Sequence, residues 1–242
     1  MRGDPPATGL DWLAFDAVLF DLDGVITPTA AVHERAWAEL FAGHDYSDGD
    51  YLSHIDGKPR YDGVAAFLAS RGIELPFGDP DDGPDAETVC GLGNRKNRLF
   101  NEILDREPLA PYAGTVAVLD LLDVEGVAQA IVSSSRNAHR VLAAAGMATR
   151  FPVIVDGARA ADEGLRGKPD PHMFERAADL LEVDRDRAIV VEDAVAGVQA
   201  GVAGAFGFVL GVDRGGNRSA LTEAGATLVV DDLADTLPAV RR

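Results

Sequence analysis

Cysteine is almost absent from this chain. Among 242 residues only Cys90 carries a thiol, so no disulfide can close within the chain and the fold does not depend on an oxidising compartment. Between Val89 and Leu92, that thiol reads as a small buried apolar group rather than a nucleophile. Long hydrophobic runs are missing too, and no stretch reaches the length a membrane span needs. The first sixteen residues contain Pro5, Pro6 and early acids but no basic segment leading into an apolar one. No signal peptide is therefore expected, and a cytoplasmic location is the default. Basic residues are few, 22 Lys and Arg against 40 Asp and Glu, for a formal net charge of −18. A nucleic-acid partner normally meets a basic face, so none is expected. The acidic excess reads as a solvated surface that favours solubility. It leaves room for a small phosphorylated ligand, which needs only a few local cations or a metal ion.

What is present is an ordinary globular balance, 47% apolar and 26% charged residues, enough to build a packed core. Short apolar runs recur: Ala17–Phe20, Ala128–Val132, Pro152–Val155, Ala188–Val191, Phe206–Leu210 and Thr227–Val230. They do not alternate with polar residues, which suits strands covered on both faces, as in a parallel sheet. Helical spacing lies between them, in Val116, Leu119 and Leu122 and again in Val195, Val198 and Val202. Asp170-Pro171 reads as an N-cap followed by a proline in the first turn, with Met173, Phe174, Ala177 and Leu181 as the apolar stripe. The expectation is an α/β fold with a doubly wound parallel sheet.

One segment breaks the alternation. After the first strand come three helical patterns, Ala30–Phe41, Tyr61–Ser70 and Asn94–Leu104, with no strand among them. The simplest account is an all-helical domain over residues 29–108 inserted into a core of residues 1–28 and 109–242. Phe77–Asp85, rich in Gly, Pro and Asp, reads as an exposed loop.

Ligands of open α/β sheets bind at the carboxyl ends of the strands. Strand one ends in Asp21-Leu22-Asp23-Gly24, strand two in Ser133-Ser134-Ser135, and strand four in Glu192-Asp193. Lys168 lies in the loop before the Pro171 helix. Four carboxylates close together repel one another. A hard cation relieves this, and carboxylates with phosphate and retained water are what Mg²⁺ prefers. In an extended Asp21-Leu22-Asp23 both carboxylates share a face, and Gly24 allows a turn that an L-residue resists. One acid can attack phosphorus while the other handles the proton on the transferring oxygen. Lys168 can neutralise charge on the phosphoryl oxygens, and Ser133 with the amides after it can hold them.

Phe20-Asp21-Leu22-Asp23-Gly24-Val25, Ser133, Gly167-Lys168-Pro169 and Glu192-Asp193 resemble the four motifs of the haloacid dehalogenase superfamily, in the expected order. The resemblance implies that Asp21 becomes an aspartyl phosphate and Asp23 is the general acid/base. It implies metal ligation by Asp21, the backbone carbonyl of Asp23, Glu192 and Asp193. The helical insertion looks like that family's cap. Gly24-Val25-Ile26-Thr27, His33-Glu34-Arg35-Ala36-Trp37, Asp56-Gly57-Lys58-Pro59-Arg60, Arg95-Lys96-Asn97 and Ser133-Ser134-Ser135-Arg136-Asn137 are similar to β-phosphoglucomutases. That likeness implies that Arg60 grips the phosphate not being transferred, that Lys96 and Asn97 contact the sugar phosphate, and that His33 couples cap closure to the acid/base. It places Ser134, Arg136 and Asn137 near the phosphate site of the core. Two residues depart from the pattern: Pro28 where an acid is common, and Ala194 where a hydroxyl is frequent.

By composition alone, Arg60 and Lys96 are surface residues, and His33, one turn from Trp37, is a packed helix histidine. Their roles rest on the resemblance. The expected activity is Mg²⁺-dependent interconversion of β-glucose 1-phosphate and glucose 6-phosphate by a monomer acting on a small sugar phosphate. The alternative is a sugar-phosphate phosphatase with the same core chemistry. A phosphate-binding module without turnover fits less well, because it has no need of both Asp21 and Asp23.

Overall fold

The structure, a computed structural model, describes residues 10–55 and 58–237. Pro5, Pro6, Asp56 and Gly57 lie outside the described residues. The chain forms two compact units, one from the residues before Thr29 and after Leu109, the other spanning Thr29–Leu109.

In chain order the elements are β1 (Ala17–Phe20), α1 (Thr29–Leu40), α2 (Asp48–Asp50) running into a π-helical turn at Tyr51–Ile55, α3 (Arg60–Ser70), α4 (Val89–Arg106) and α5 (Ala113–Glu125). Then follow β2 (Ala128–Val132), α6 (Ala138–Ala144), β3 (Val153–Val155), α7 (Gly157–Glu163), α8 (His172–Leu181) and β4 (Ala188–Glu192). The chain continues with α9 (Val195–Ala203), β5 (Phe208–Val212), α10 (Arg218–Glu223) and β6 (Leu228–Val230). Among the described residues no helix is long and apolar enough to cross a membrane.

The six strands form one parallel sheet in the order β3-β2-β1-β4-β5-β6. All residues of β1 and β4 are buried, which explains why their sequences are continuous apolar runs. From β1 the chain builds outward to β3 on one side, then crosses to β4 and builds outward on the other. The point between β1 and β4 is therefore where strand order reverses and a crevice opens at the carboxyl ends. Register aligns those ends, with Phe20 beside both Ile131 and Val191. Asp21, Ser133 and Glu192 consequently emerge at neighbouring levels.

Helix α8 packs on β1, β2 and β3. Its Met173, Phe174 and Ala177 join Leu19, Val132 and Val190 in one apolar cluster, while Leu181 is only half-buried. The helix starts one residue later than the Asp170-Pro171 pattern predicts. Pro171 is its N-cap, and Asp170 Oδ1 accepts from His172 N at 3.3 Å.

The other unit is all helical. Helix α4 packs against both α1 and α3, around Trp37, Phe41, Phe67 and Leu92. The rings of Phe41 and Phe67 stack at 4.0 Å. Arg35 of α1 donates two hydrogen bonds, at 2.8 and 2.9 Å, to the Glu107 carboxylate just beyond α4. Residues 77–85 form neither helix nor strand and are mostly exposed. The loop is nevertheless held: Asn94 Nδ2 donates to the carbonyls of Pro80 and Asp82, and Arg95 Nε to that of Pro84.

Candidate active site

Asp21 follows β1 directly, and its amide continues the ladder by donating to Val191 O at 2.9 Å. Its carboxylate is nearly buried. Lys168 Nζ lies 2.5 Å from Asp21 Oδ1 and 2.5 Å from Glu192 Oε1, and donates to Val132 O at 3.0 Å. Lys168, Asp21 and Glu192 are all buried residues. One cation thus faces two acids in a place that water cannot screen.

Asp193 adds a third acid. Asp21, Glu192 and Asp193 each offer an oxygen within 4.8 Å of the others. Burial, chiefly, and then the Glu192 and Asp23 charges push the Asp21 carboxyl well above the usual carboxylate range, against the pull of Lys168. Burial works against the Lys168 ammonium, but the Asp21 and Glu192 carboxylates outweigh it and hold the lysine protonated. Three carboxylates to one ammonium leave an excess of negative charge on hard oxygen donors. That donor set fits a hard divalent cation.

Two glycines make room for these acids. Gly24 has φ +90°, and a Cβ there would sit 1.7 Å from Asp193 Oδ2. The residue must therefore lack a side chain on both conformational and steric grounds. Gly197 in α9 is constrained by space alone, since its Cβ would fall 1.8 Å from Glu192 Oε1. Glu192 Oε2 accepts from the amides of Asp193 and Ala194 at 3.1 and 3.2 Å. Ala194 is the N-cap of α9 without a side-chain cap, and the Glu192 carboxylate holds its amide and the one before it.

Asp23 sits in a closed turn. Gly24 N donates to Thr27 O at 2.7 Å, and Ile26 N and Thr27 N both donate to Leu22 O. Leu22 is buried beneath the turn. Ser133 Oγ donates to Asp23 Oδ2 at 3.3 Å and accepts from Ser135 N at 3.1 Å. Ser134 and Asn137 are half-buried and Arg136 is exposed. Ser135 is a turn residue whose Oγ accepts from Asn137 N.

The structure therefore gathers Asp21, Asp23, Ser133, Lys168, Glu192 and Asp193 at the carboxyl ends of β1, β2 and β4. Among the described residues, the side chains grouped closely enough to share a metal ion are those of Asp21, Glu192 and Asp193. The Asp23 carboxylate instead meets Ser133.

The candidate residues of the helical unit form a second group. Lys96 of α4 is buried, contrary to its reading as a surface residue by composition. Its ammonium lies 5.1 Å from the ring centres of both Trp37 and Phe100 and contacts His33 Nδ1. His33 stacks on Phe100 at 4.1 Å. Cation–π attraction from two rings helps offset the cost of desolvating the ammonium. Arg60 opens α3, half-buried, 5.7 Å from the Tyr61 ring centre. Asn97 is half-buried on α4.

Sequence reasoning missed the loop after β5. Asn217 Nδ2 donates to Asp193 O at 2.9 Å, and Arg214 Nε donates to Gly24 O at 2.9 Å. The strand-end rule that found the other groups would have found these. The apolar run ends at Leu210, however, whereas β5 continues to Val212, so the pattern does not mark residues 213–217 as following a strand.

Known proteins resemble the chain along most of its length. The pattern of haloacid dehalogenase-like hydrolases matches residues 15–204. The β-phosphoglucomutase of Mycobacterium bovis is 43% identical over 91% of each chain. That of Bacillus subtilis is 34% identical over 90% of each. Among solved structures, a β-phosphoglucomutase from Clostridium difficile superimposes with a TM-score of 0.78 at 28% identity, covering 92% of this chain and 93% of the other.

Proposed function

This chain is an enzyme of the haloacid dehalogenase-like hydrolase family, in its β-phosphoglucomutase-like branch, and from that premise we propose that it interconverts β-glucose 1-phosphate and glucose 6-phosphate through a phosphoryl group carried on Asp21. The observation that carries the chemistry is the set of buried Asp21, Lys168 and Glu192 with half-buried Asp193 at the strand-order reversal.

In this mechanism an Asp21 carboxylate oxygen attacks phosphorus as the bond to the sugar oxygen breaks. Asp23 gives that oxygen a proton. In the return step Asp23 takes a proton from the free hydroxyl of a glucose monophosphate as that oxygen attacks the aspartyl phosphate. This frees Asp21 and forms glucose 1,6-bisphosphate, whose other phosphoryl group Asp21 then takes. The Lys168 ammonium, 2.5 Å from Asp21 Oδ1, steadies the nucleophile as an anion and offsets charge on the phosphoryl oxygens. Ser133 and the amides that follow it are the proposed donors to those oxygens, with Ser134, Arg136 and Asn137 beside them. Asp21, Glu192, Asp193 and the Asp23 carbonyl are the proposed Mg²⁺ ligands. The ion would supply the charge neutralisation that lets a carboxylate approach a phosphate. In the helical unit, Arg60 is the proposed anchor for the phosphate that is not transferred, Lys96 and Asn97 the contacts to the sugar phosphate, and His33 the support of Lys96.

Two relatives named as β-phosphoglucomutases, each matched over nine-tenths of its length, favour the mutase. The match to a pattern of hydrolases favours a second reading, sugar-phosphate hydrolysis with the same Asp21 chemistry. The shared part is tested with wild-type protein and a sugar phosphate. Turnover should stop in excess chelator, return with Mg²⁺ and be inhibited by Ca²⁺, which takes more ligands at longer distances. Mass spectrometry should place the trapped phosphoryl group on Asp21. Full turnover in chelator, or a label on another residue, would overturn the mechanism.

A further inference from the structure

The loop Asp213–Asn217 touches both acid-bearing loops of the core. It leaves β5 two strands away from β1, yet Arg214 reaches the Asp21–Thr27 segment and Asn217 reaches Asp193. Arg214 Nε donates to Gly24 O at 2.9 Å, and Nη1 donates to Asp231 O at 2.9 Å. The guanidinium lies over the Tyr112 ring with Cζ 3.7 Å from its centre. Asn217 Nδ2 donates to Asp193 O at 2.9 Å. The loop is itself drawn tight, because Asp213 Oδ1 accepts from the amides of Gly216 and Asn217 at 2.6 and 3.0 Å.

These contacts fall where small shifts matter. The Gly24 carbonyl belongs to the peptide next to Asp23, and Gly24 lies so close to Asp193 that a Cβ would collide with its carboxylate. The carbonyls of Val25 and Ile26 are already taken by Thr115 Oγ1 at 2.8 Å and Tyr112 N at 3.0 Å. Arg214 completes the row. A planar guanidinium can lie flat on an aromatic ring and send donors in two directions, which a lysine ammonium cannot.

We propose that residues 213–217 are a positioning clamp, in which Arg214 and Asn217 hold the Asp23–Gly24 and Asp193 segments at a set spacing and so tune cation affinity and phosphoryl-transfer rate. Neither side chain touches substrate in this role; Arg214 acts through the carbonyl of Gly24, the residue after Asp23, and Asn217 through that of Asp193. The inference rests on the function proposed above.

The test uses full-length Arg214→Ala, Arg214→Lys and Asn217→Ala. Mg²⁺ affinity is read by calorimetry, kcat and KM with a sugar phosphate, and folding by thermal melts. Orienting groups behind metal ligands typically matter by roughly 10- to 100-fold in affinity or activity. Arg214→Ala should lower kcat by a factor in that range and weaken Mg²⁺ binding, with KM for the sugar phosphate nearly unchanged. Arg214→Lys should fail to restore either. Asn217→Ala, which loses one hydrogen bond to the cation loop, should weaken Mg²⁺ binding more than it lowers kcat. The clamp is overturned if both alanine variants keep Mg²⁺ affinity and kcat within about twofold of wild type, or if lysine replaces Arg214 without loss. It is equally overturned if the Arg214→Ala losses match its unfolded fraction while Asn217→Ala is unchanged. A wild-type protein that transfers no phosphoryl group would sink the function, and the calorimetric comparison would still decide the clamp.

Discussion

Asp21 and Gly24 show at single-residue scale how the site trades stability for chemistry. Asp21 is buried beside Glu192 and Asp193 with one ammonium among them, an arrangement that folding alone would not favour. Asp21→Asn should fold normally and melt no lower than wild type in chelator, because it removes a crowded charge while keeping shape. It should have no measurable turnover. Asp23→Asn keeps the nucleophile but loses the proton carrier, and should fall by about a hundred- to ten-thousandfold. Steady-state rates with a sugar phosphate decide both; near-normal activity in Asp21→Asn would end the proposal. Gly24→Ala should lose Mg²⁺ affinity in calorimetry, since its methyl would displace the Asp193 carboxylate. The left-handed backbone adds a cost of about 1 kcal/mol. An Ala variant with wild-type affinity would show that Asp193 is not held there. These core residues were legible because each lies at the end of an apolar run, where chemistry collects. Lys96 was not. Its burial comes from Trp37 and Phe100, which are far from it in sequence or a turn along α4, and no local pattern announces two rings closing on an ammonium.

Among the elements, glycine explains two of the differences between the sequence reading and the structure. Helix α4 was expected from Asn94, but it starts at Val89, with Thr88 Oγ1 capping Gly91 N at 2.9 Å. Gly91 and Gly93 hid that start, because glycine lowers helix propensity. Their actual use is close packing: a Cβ would lie 2.3 Å from Ala86 O at Gly91 and 2.6 Å from the Tyr61 ring at Gly93. Gly211 likewise hid the end of β5, although it pairs in the ladder with Glu192 and Val229. The short α2 and the π-turn after it carry no periodic pattern and were not anticipated. Polar contacts hold that segment. Asp50 accepts from Ser47 N at 2.9 Å and Ser47 Oγ at 2.7 Å and pairs with Arg71, just past α3, at 2.7 Å. Hydrogen bonds from Ser47 and then from Arg71 hold the Asp50 carboxyl at about 2, below the ordinary value of about 3.9. A depressed carboxyl stabilises the folded state fully above its unfolded pKa, and that contribution is lost as pH falls toward the folded one. Asp50→Asn should therefore melt below wild type near neutral pH, and the gap should close between about pH 4 and pH 2. Thermal melts of both proteins across that range check it. A gap that stays constant would show that the charge contributes nothing.

At the scale of the whole molecule, the proposed roles fall on residues of two compact units, each read by itself. The α/β unit carries the acids, Lys168 and the proposed cation ligands; the acids were legible from strand ends and Lys168 from the loop before the Pro171 helix. The helical unit carries Arg60, Lys96 and Asn97, whose roles could be named only by resemblance, because a single basic or amide side chain within a helical pattern has no chemical signature of its own. Strand order was not legible either, since each apolar run says that a strand is buried but not which neighbours bury it. The division of labour matters for the acceptor. Water is far more abundant than any sugar hydroxyl, so a mutase must keep water from the aspartyl phosphate and hold the bisphosphate by its other end. Arg60 is the proposed holder, since a guanidinium can grip phosphate with two parallel hydrogen bonds. With β-glucose 1-phosphate and a trace of glucose 1,6-bisphosphate, the wild-type protein should accumulate glucose 6-phosphate with little inorganic phosphate. Arg60→Ala removes the anchor but leaves Asp21 and Asp23 intact. It should slow isomerisation much more than it slows hydrolysis of the phosphoenzyme, so phosphate should gain share even as total turnover falls. Both products are measured in the same tube. If phosphate dominates from the first time point with the wild-type protein, the mutase reading fails and sugar-phosphate hydrolysis replaces it. If Arg60→Ala lowers both rates equally, the anchor lies elsewhere.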